Sequence, residues 1–308
     1  MRARPISPGE IDRFVETASD PEHREDQRGY LESMFSAGSM RPEWCYVAED
    51  KGRAALWTLP GVDEPLAIVL LDVAWNGDPS PASVLLETIL EDARALGAEE
   101  LEHVLDSPPM WPQWQHSPEE RTELLERAGF TLQRETSRFE WRGEDGLPSA
   151  TGRLDFRTLE EVGEAAFVDA IERVSGGTLD REISAEREEF GAVEAARRFF
   201  ELELQLEHDP AWCQLAYERS GEMVGLIMPA RNPTSPVINY VGVVPEHRGR
   251  GYVDDLLARG TEILAAAGAT TIRADTDTRN APMAEAFERA GYRRFARRHE
   301  YGIKLVPR

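Results

Sequence analysis

The sequence has little cysteine, almost no lysine and no long apolar run. Only Cys45 and Cys213 occur in 308 residues, which excludes a disulfide framework. Each directly follows a tryptophan, Trp44 or Trp212, and reads as a small buried thiol. The six histidines, at 23, 103, 116, 208, 247 and 299, show no metal-ligand spacing, so no metal is expected. The longest apolar stretch, Leu66–Leu71, is far short of the roughly 20 residues that cross a bilayer. The start, Met-Arg-Ala-Arg-Pro-Ile-Ser-Pro, lacks the apolar core of a signal peptide. The expectation is a cytoplasmic protein with no membrane partner. Lysine occurs only at positions 51 and 304, which reads as codon usage rather than function.

What is abundant is acid. The net charge is −22, a field that repels nucleic acid and anionic membranes. It is uneven. Residues 1–150 hold 14 basic and 30 acidic groups, whereas 241–308 hold 12 and 9. An acidic chain therefore ends in a locally basic segment, which suits an anionic ligand or a solvated arginine-rich surface.

The chain repeats itself. Trp44-Cys45-Tyr46-Val47-Ala48 is echoed by Trp212-Cys213-Gln214-Leu215-Ala216, each an alternating strand before a polar turn. Ala95-Leu96-Gly97-Ala98 is echoed by Ala267-Gly268-Ala269-Thr270. Leu125-Glu126-Arg127-Ala128-Gly129-Phe130 is echoed by Phe287-Glu288-Arg289-Ala290-Gly291-Tyr292. The matches come in order at similar spacing, apart from a Pro- and Trp-rich insert at 107–114. A duplicated α/β domain follows, with copies at 1–145 and 150–308 joined through the turn-formers of 143–149.

In the second copy, the spacing predicts strands at Leu154–Arg157, Cys213–Glu218, Met223–Met228, Val237–Val244, Thr271–Thr276 and Phe295–Ile303. Helices are expected at Leu159–Ala170, Ile183–Gln205, Asp254–Ala267 and Pro282–Ala290. The helix at 254–267 carries Leu256, Leu257, Ile263 and Leu264 on one face, and Gly268 ends it.

Between the strand at 237–244 and that helix lies Pro245-Glu246-His247-Arg248-Gly249-Arg250-Gly251. A strand, a glycine-bearing turn and a helix can bind a pyrophosphate. Glycine lets the backbone approach, and the free N–H groups at the helix start point at the anion. Arg248 and Arg250 would add charge-assisted contacts.

Here the chain resembles the GNAT acetyltransferase superfamily. The resemblance rests on Val243-Val244-Pro245-Glu246-His247-Arg248-Gly249-Arg250-Gly251, then Asn280, then Phe287 with Gly291-Tyr292. It covers about 150–308 well and, through the repeat, 1–145 in degenerate form. It implies two tandem α/β (α+β) domains, each a mixed, mostly antiparallel sheet flanked by helices. It also implies acetyl-CoA as cosubstrate, with no metal. Backbone groups of Val241, Gly242 and Val243 would meet the pantetheine arm. Arg248, Gly249, Arg250, Gly251, Tyr252 and Val253 would wrap the pyrophosphate, and Asn280 would lie near the thioester.

Two positions depart from the pattern. Val253 stands where the family often has glycine or alanine. Phe287 stands where members often have the tyrosine that protonates the leaving thiolate, and phenylalanine donates no proton. Tyr240 is a candidate substitute, or a core aromatic. Asp275 is a candidate base for the amine, or a strand-end carboxylate satisfied by N–H groups. Asp277 reads as a turn residue, and Asn239 as a polar group lining the acceptor cleft.

The first copy has no arginine matching Arg248 or Arg250, and Asp72 and Asp78 would repel a phosphate. That copy is expected not to bind CoA in the usual way. Its Trp111 and Trp114 would either pack structurally or line the acceptor pocket. Residues 155–209 hold 16 acidic and 6 basic groups, which favours a cationic amine, either a small molecule or a peptide. The chain is expected to act as a monomer or homodimer. The alternatives are a silent CoA-binding sensor or scaffold, and acyl transfer to a thiol or hydroxyl.

Overall fold

The structure, a computed structural model, describes residues 3–18, 20–48, 52–73, 75, 80–232 and 234–305. The chain forms two units, Met1–Glu135 with Arg297–Arg308 (unit 1) and Thr136–Ala296 (unit 2).

Unit 1 runs β1 (Ala3–Pro5), α1 (Ile11–Glu16), α2 (Arg24–Ser36), β2 (Cys45–Ala48), β3 (Gly52–Trp57), β4 (Ala67–Val73), α3 (Ser80–Ala95), β5 (Glu100–Ser107) and α4 (Pro118–Arg127), then the start of β6 (Thr131–Arg142). Leu85, Leu86, Ile89, Leu90 and Ala93 form the buried stripe of α3 against the sheet. Each such leucine contributes about 1.5–3 kcal/mol on burial.

Unit 2 contains β7 (Leu154–Thr158), α5 (Leu159–Val162), α6 (Glu164–Val174), α7 (Arg181–Phe190), α8 (Ala192–Glu203), β8 (Gln214–Glu218), β9 (Met223–Arg231), β10 (Pro236–Val243), α9 (Tyr252–Ala266), β11 (Thr271–Asp277) and α10 (Ala281–Arg289), then the start of β12 (Arg293–Lys304). Two expected helices are each split in two. Gly163 (φ 79°, ψ 162°) separates α5 from α6, and Gly191 (φ 80°, ψ 158°) separates α7 from α8. Neither conformation is helical, and only glycine adopts it without strain. Periodicity alone had run the helices through both glycines.

The two sheets share one plan. In unit 1, β1, β2, β3 and β4 pair antiparallel in that order. β4 then pairs parallel with β5, and β5 antiparallel with Arg297–Lys304 of β12. In unit 2, β7, β8, β9 and β10 pair antiparallel, β10 pairs parallel with β11, and β11 antiparallel with Thr136–Arg142 of β6. Both sheets are thus mixed, mostly antiparallel and flanked by helices. The last strand of each copy closes the sheet of the other unit. Phe139 and Trp141 of β6 are buried in the core of unit 2, and Tyr301 and Leu305 in that of unit 1.

Candidate functional site

The site of unit 2 starts with a bulge. β10 pairs with β9 from Pro236 to Val243, but the register shifts between Ile238 and Tyr240, so Asn239 is the extra residue. A bulge bends and twists its strand. The parallel pairing of β10 with β11 is at Val237↔Arg273 alone among the described residues. Past the bulge the strands part. The edge of β10 that faced β11 keeps alternate N–H and C=O groups without a sheet partner from Asn239 to Val243. Such groups need hydrogen-bond partners, and an extended amide-bearing ligand would supply them.

Gly242 is required by a close approach: a Cβ there would lie 2.2 Å from Cγ1 of Val174 in α6. Tyr240 turns to the α6–α8 side of the sheet and packs on Phe199 at 4.7 Å. Val241 and Val243 pack on the opposite side, with α9.

Beyond Val244, a short 3-10 turn (Pro245–His247) leads to Gly249 (φ 75°) and Gly251 (φ 73°), which caps α9. The left-handed backbone at these two glycines aims successive N–H groups into one concavity at a helix start. The N–H groups of Gly249, Arg250, Gly251, Tyr252 and Val253 have no acceptor within the protein, among the described residues. A polyanion fits this chemistry. The Val253 side chain packs into the core, so its branching does not fill the concavity.

The side chain of Arg248 is turned inward instead. Its guanidinium donates to the carbonyls of Val243 (3.1 Å), Val174 (2.7 Å), Gly176 (2.9 Å) and Gly177 (3.2 Å). It satisfies orphan carbonyls at the C-terminus of α6, where a cation is favoured. Arg248 therefore fastens the turn, and Arg250, which donates to His247 at 3.3 Å, stays beside the turn. Tyr252 donates its hydroxyl to Glu218. Asp255 in the first turn of α9 is buried and held by Thr151 and Arg153 (2.8 Å to Arg153 Nε). Asn280 caps α10 by accepting from the Met283 N–H at 3.4 Å, which leaves its amide N–H₂ without a protein acceptor among the described residues.

The acid–base candidates separate clearly. Phe287 is 2% exposed and stacks on Phe139 at 5.2 Å in the core. Tyr292 is buried too, with its hydroxyl 2.7 Å from that of Thr261. Burial pushes the phenols of Tyr240 and Tyr292 up, so both keep their protons. Asp275 on β11 is ion-paired with Arg138 of β6 at 3.3 Å. Asp277 is fully buried and accepts from the backbone N–H of Arg181 and Arg279 and from the Arg181 side chain. These contacts tie α7 to the end of β11 and hold its carboxyl below the usual range.

One residue escaped the sequence reading. Glu203, the last residue of α8, accepts from Nδ2 of Asn239, the bulge residue of β10. Burial first, then the nearby Glu182, push its carboxyl up to about 8. No local pattern marks it, because its partner is 36 residues away.

The matching slot of unit 1 has the same bulge. β3 and β4 shift register between Ala55 and Leu56, which skips Val69, and among the described residues β4 meets β5 at Ala67↔Glu102 alone. Here the protein fills the gap itself. Arg121 of α4 donates to the carbonyl of Leu71. His103 of β5 donates Nδ1–H to the carbonyl of Ile68 at 2.6 Å. Burial lowers the His103 ring to about 4, so it is neutral, and its Nε2 receives Gln115 at 3.3 Å. Asp72, which corresponds to Gly242, pairs with Arg53 at 3.3 Å and lies 3.9 Å from Arg121. Its charge is compensated in the core, rather than left to repel a phosphate. Asp78 lies outside the described residues. Trp111 meets Tyr30 edge-on and Trp114 stacks on His23, both within unit 1.

A shallow cavity of about 230 Å³ in unit 2, lined by Leu147, Phe156, Asp255 and Arg259 among others, lies between α9 and the segment entering β7, away from the slot. No described helix is long and apolar enough to cross a membrane. No group of three metal-binding side chains occurs among the described residues.

Residues 179–292 match the acetyltransferase (GNAT) family. Among solved structures, the chain is similar to a GCN5-related N-acetyltransferase from Sphaerobacter thermophilus. The two are 18% identical over 99% of this chain and 96% of that one, with a TM-score of 0.63. It is also similar to a tandem GNAT protein from the clavulanic acid biosynthesis pathway (15% identity, 100% and 99% covered, TM-score 0.52). A third is a GCN5-related N-acetyltransferase from Kribbella flavida (18%, 92% and 96%, 0.52). These are likenesses of fold, and they extend over both copies. The family moves an acyl group from acyl-CoA to an acceptor.

Proposed function

We propose that unit 2 of this GNAT-family chain transfers the acetyl group of acetyl-CoA to an amine by direct attack, with no covalent enzyme intermediate. One observation carries the reading: the unpartnered edge of β10 runs straight into five unsatisfied N–H groups at the start of α9. An extended amide-bearing arm and a pyrophosphate, joined in that order, match the two. Val241, Gly242 and Val243 would hold the arm, and Gly249 to Val253 the anion, with Arg248 and Arg250 shaping the turn. The free amide of Asn280 would meet the arm near the thioester.

Tyr240, with its proton retained by burial, would protonate the leaving sulfur in place of the tyrosine that Phe287 replaces. Two carboxylates stand as proton acceptors: Asp275, already ion-paired with Arg138, and Glu203. The acidic α5–α8 region favours a cationic acceptor, a small amine or a peptide amine, met by a monomer or homodimer. The buried Phe287 is the observation that favours a silent CoA-binding scaffold.

A thiol-release assay with acetyl-CoA and an amine library tests the proposal, with product mass identifying the acylated atom. Turnover of cationic amines with a gain of one acetyl group is expected. CoA binding without turnover of any acceptor would leave the scaffold. Reaction of neutral or anionic acceptors alone would refute the cationic preference.

A further inference from the structure

We propose that Glu203 receives the acceptor's ammonium group and takes its proton. The inference rests on unit 2 being an acyltransferase for amines, and it deepens that reading. The carboxylate of Glu203 is held on Asn239, the residue that the bulge of β10 adds at the point where the strand leaves β11. It therefore sits on the same strand segment whose open edge is offered to the cofactor, on the side of the sheet that carries α6, α7 and α8. Phe199 and Tyr240 supply an aromatic wall beside it, 4.7 Å from each other. An ammonium group on an apolar stem has both of its needs met there.

The surroundings explain why this carboxylate and not another would act. The titratable groups around it are Glu182 of α7, Tyr240 of β10 and Cys213 just before β8; the cations Arg187 of α7 and Arg248 act on Tyr240, and neither pairs with Glu203. No described Lys, Arg or His lies within ion-pair distance of Glu203, whereas Asp275 has Arg138 and Asp277 has Arg181. A carboxylate with a built-in cation has no charge left to offer an ammonium. Glu203 has no such partner, so the carboxylate it becomes as pH rises through about 8 is left to meet an ammonium, and burial raises its affinity for a proton towards that of an amine, so the transfer is nearly balanced.

The step closes in atoms and charge. An N–H bond of the ammonium breaks and its proton joins a carboxylate oxygen of Glu203. The freed nitrogen lone pair attacks the thioester carbonyl carbon, forming C–N. The C–S bond breaks with its electron pair on sulfur, which takes the hydroxyl proton of Tyr240, and the second proton of nitrogen restores that hydroxyl. Glu203 then releases its proton to solvent.

The test uses the full chain with Glu203→Gln, which keeps an oxygen for Asn239 to donate to. With ¹³C-labelled glutamate carboxyls, the wild type should show one signal titrating near 8, absent in the variant. Benzylammonium should move that midpoint down by at least one pH unit. In turnover, the variant should lose a factor of about 10²–10⁴ in kcat/KM for the amine, with CoA affinity unchanged. The rise of the wild-type rate through pH 8 should also disappear. CoA binding by calorimetry is measured alongside. Absent binding in the wild type would overturn the acyltransferase reading and this inference with it. Intact CoA binding with a Glu203 signal that benzylammonium leaves in place would overturn the role of Glu203 alone. So would a loss of rate on Asp275→Asn but not on Glu203→Gln.

Discussion

The two slots are built alike and finished differently. In each unit a bulge in the fourth strand parts it from its parallel neighbour after a single paired position among the described residues. In unit 2 the edge has no strand partner past the bulge and ends at a turn whose N–H groups from Gly249 to Val253 have no acceptor among the described residues. In unit 1 Arg121 and His103 reach across and satisfy the carbonyls of Leu71 and Ile68. Gly242, which lets α6 approach β10, is answered in unit 1 by Asp72, locked between two buried arginines. A backbone edge buried in a protein must find partners. Unit 1 finds them in Arg121 and His103; in unit 2 Arg248 meets the Val243 carbonyl, and a ligand is proposed to meet the rest. Duplication kept the architecture, and a few side chains decided which copy stays open.

The comparison can be broken most severely at the level of the sheets. A fragment 150–308 lacks β6 and with it the buried Phe139 and Trp141. It exposes the edge of β11 and should fail to fold cooperatively, whereas 136–308 should regain a sharper transition in thermal unfolding followed by circular dichroism. A cooperative fragment 150–308 would show that the exchanged strand is dispensable.

Next is the plug itself. Arg121→Met copies Met283, its counterpart when Leu125–Phe130 is aligned with Phe287–Tyr292. It strands the Leu71 carbonyl and removes one of the cations near Asp72, at a cost of about 3–5 kcal/mol, readable in urea unfolding. Calorimetry should give one CoA per wild-type chain. Two per chain would dissolve the contrast between the slots.

The smallest effect is in pH. His103 has its folded midpoint lowered to about 4, below its unfolded value, so the unfolded chain binds the proton first. Its contribution is complete above the unfolded midpoint near 6.5 and is lost as pH falls through 4, by roughly 3 kcal/mol at most. Glu203 titrates with the opposite sign. Its raised midpoint means that stability declines as pH rises from the ordinary carboxylate range through 8. Unfolding free energies between pH 4 and 9 should therefore lose the acid-side slope in His103→Phe and the alkaline-side decline in Glu203→Gln.

Much of this was readable along the chain. The turn at 245–251 declared itself because glycines in left-handed backbone, a strand-ending proline and a helix face are local features. The duplication was legible because equal spacings survive divergence. Phe287 could be seen to lack a proton donor, although not that it lies in the core against a ring from β6. The breaks at Gly163 and Gly191 were missed because hydrophobic period outweighed a single residue's backbone freedom.

The sequence by itself determined the two copies, their strands and the glycine-bearing turn, since propensity, period and turn chemistry act over a few residues. Only the tertiary structure decided which strand closes which sheet, that Arg248 fastens a helix end, that Arg121 stoppers one slot and that Glu203 stands on Asn239 beside the other. Each of these depends on partners 36 to 204 positions apart and on the removal of water around them. Burial shifts a proton affinity and orphans a carbonyl only once the chain has packed.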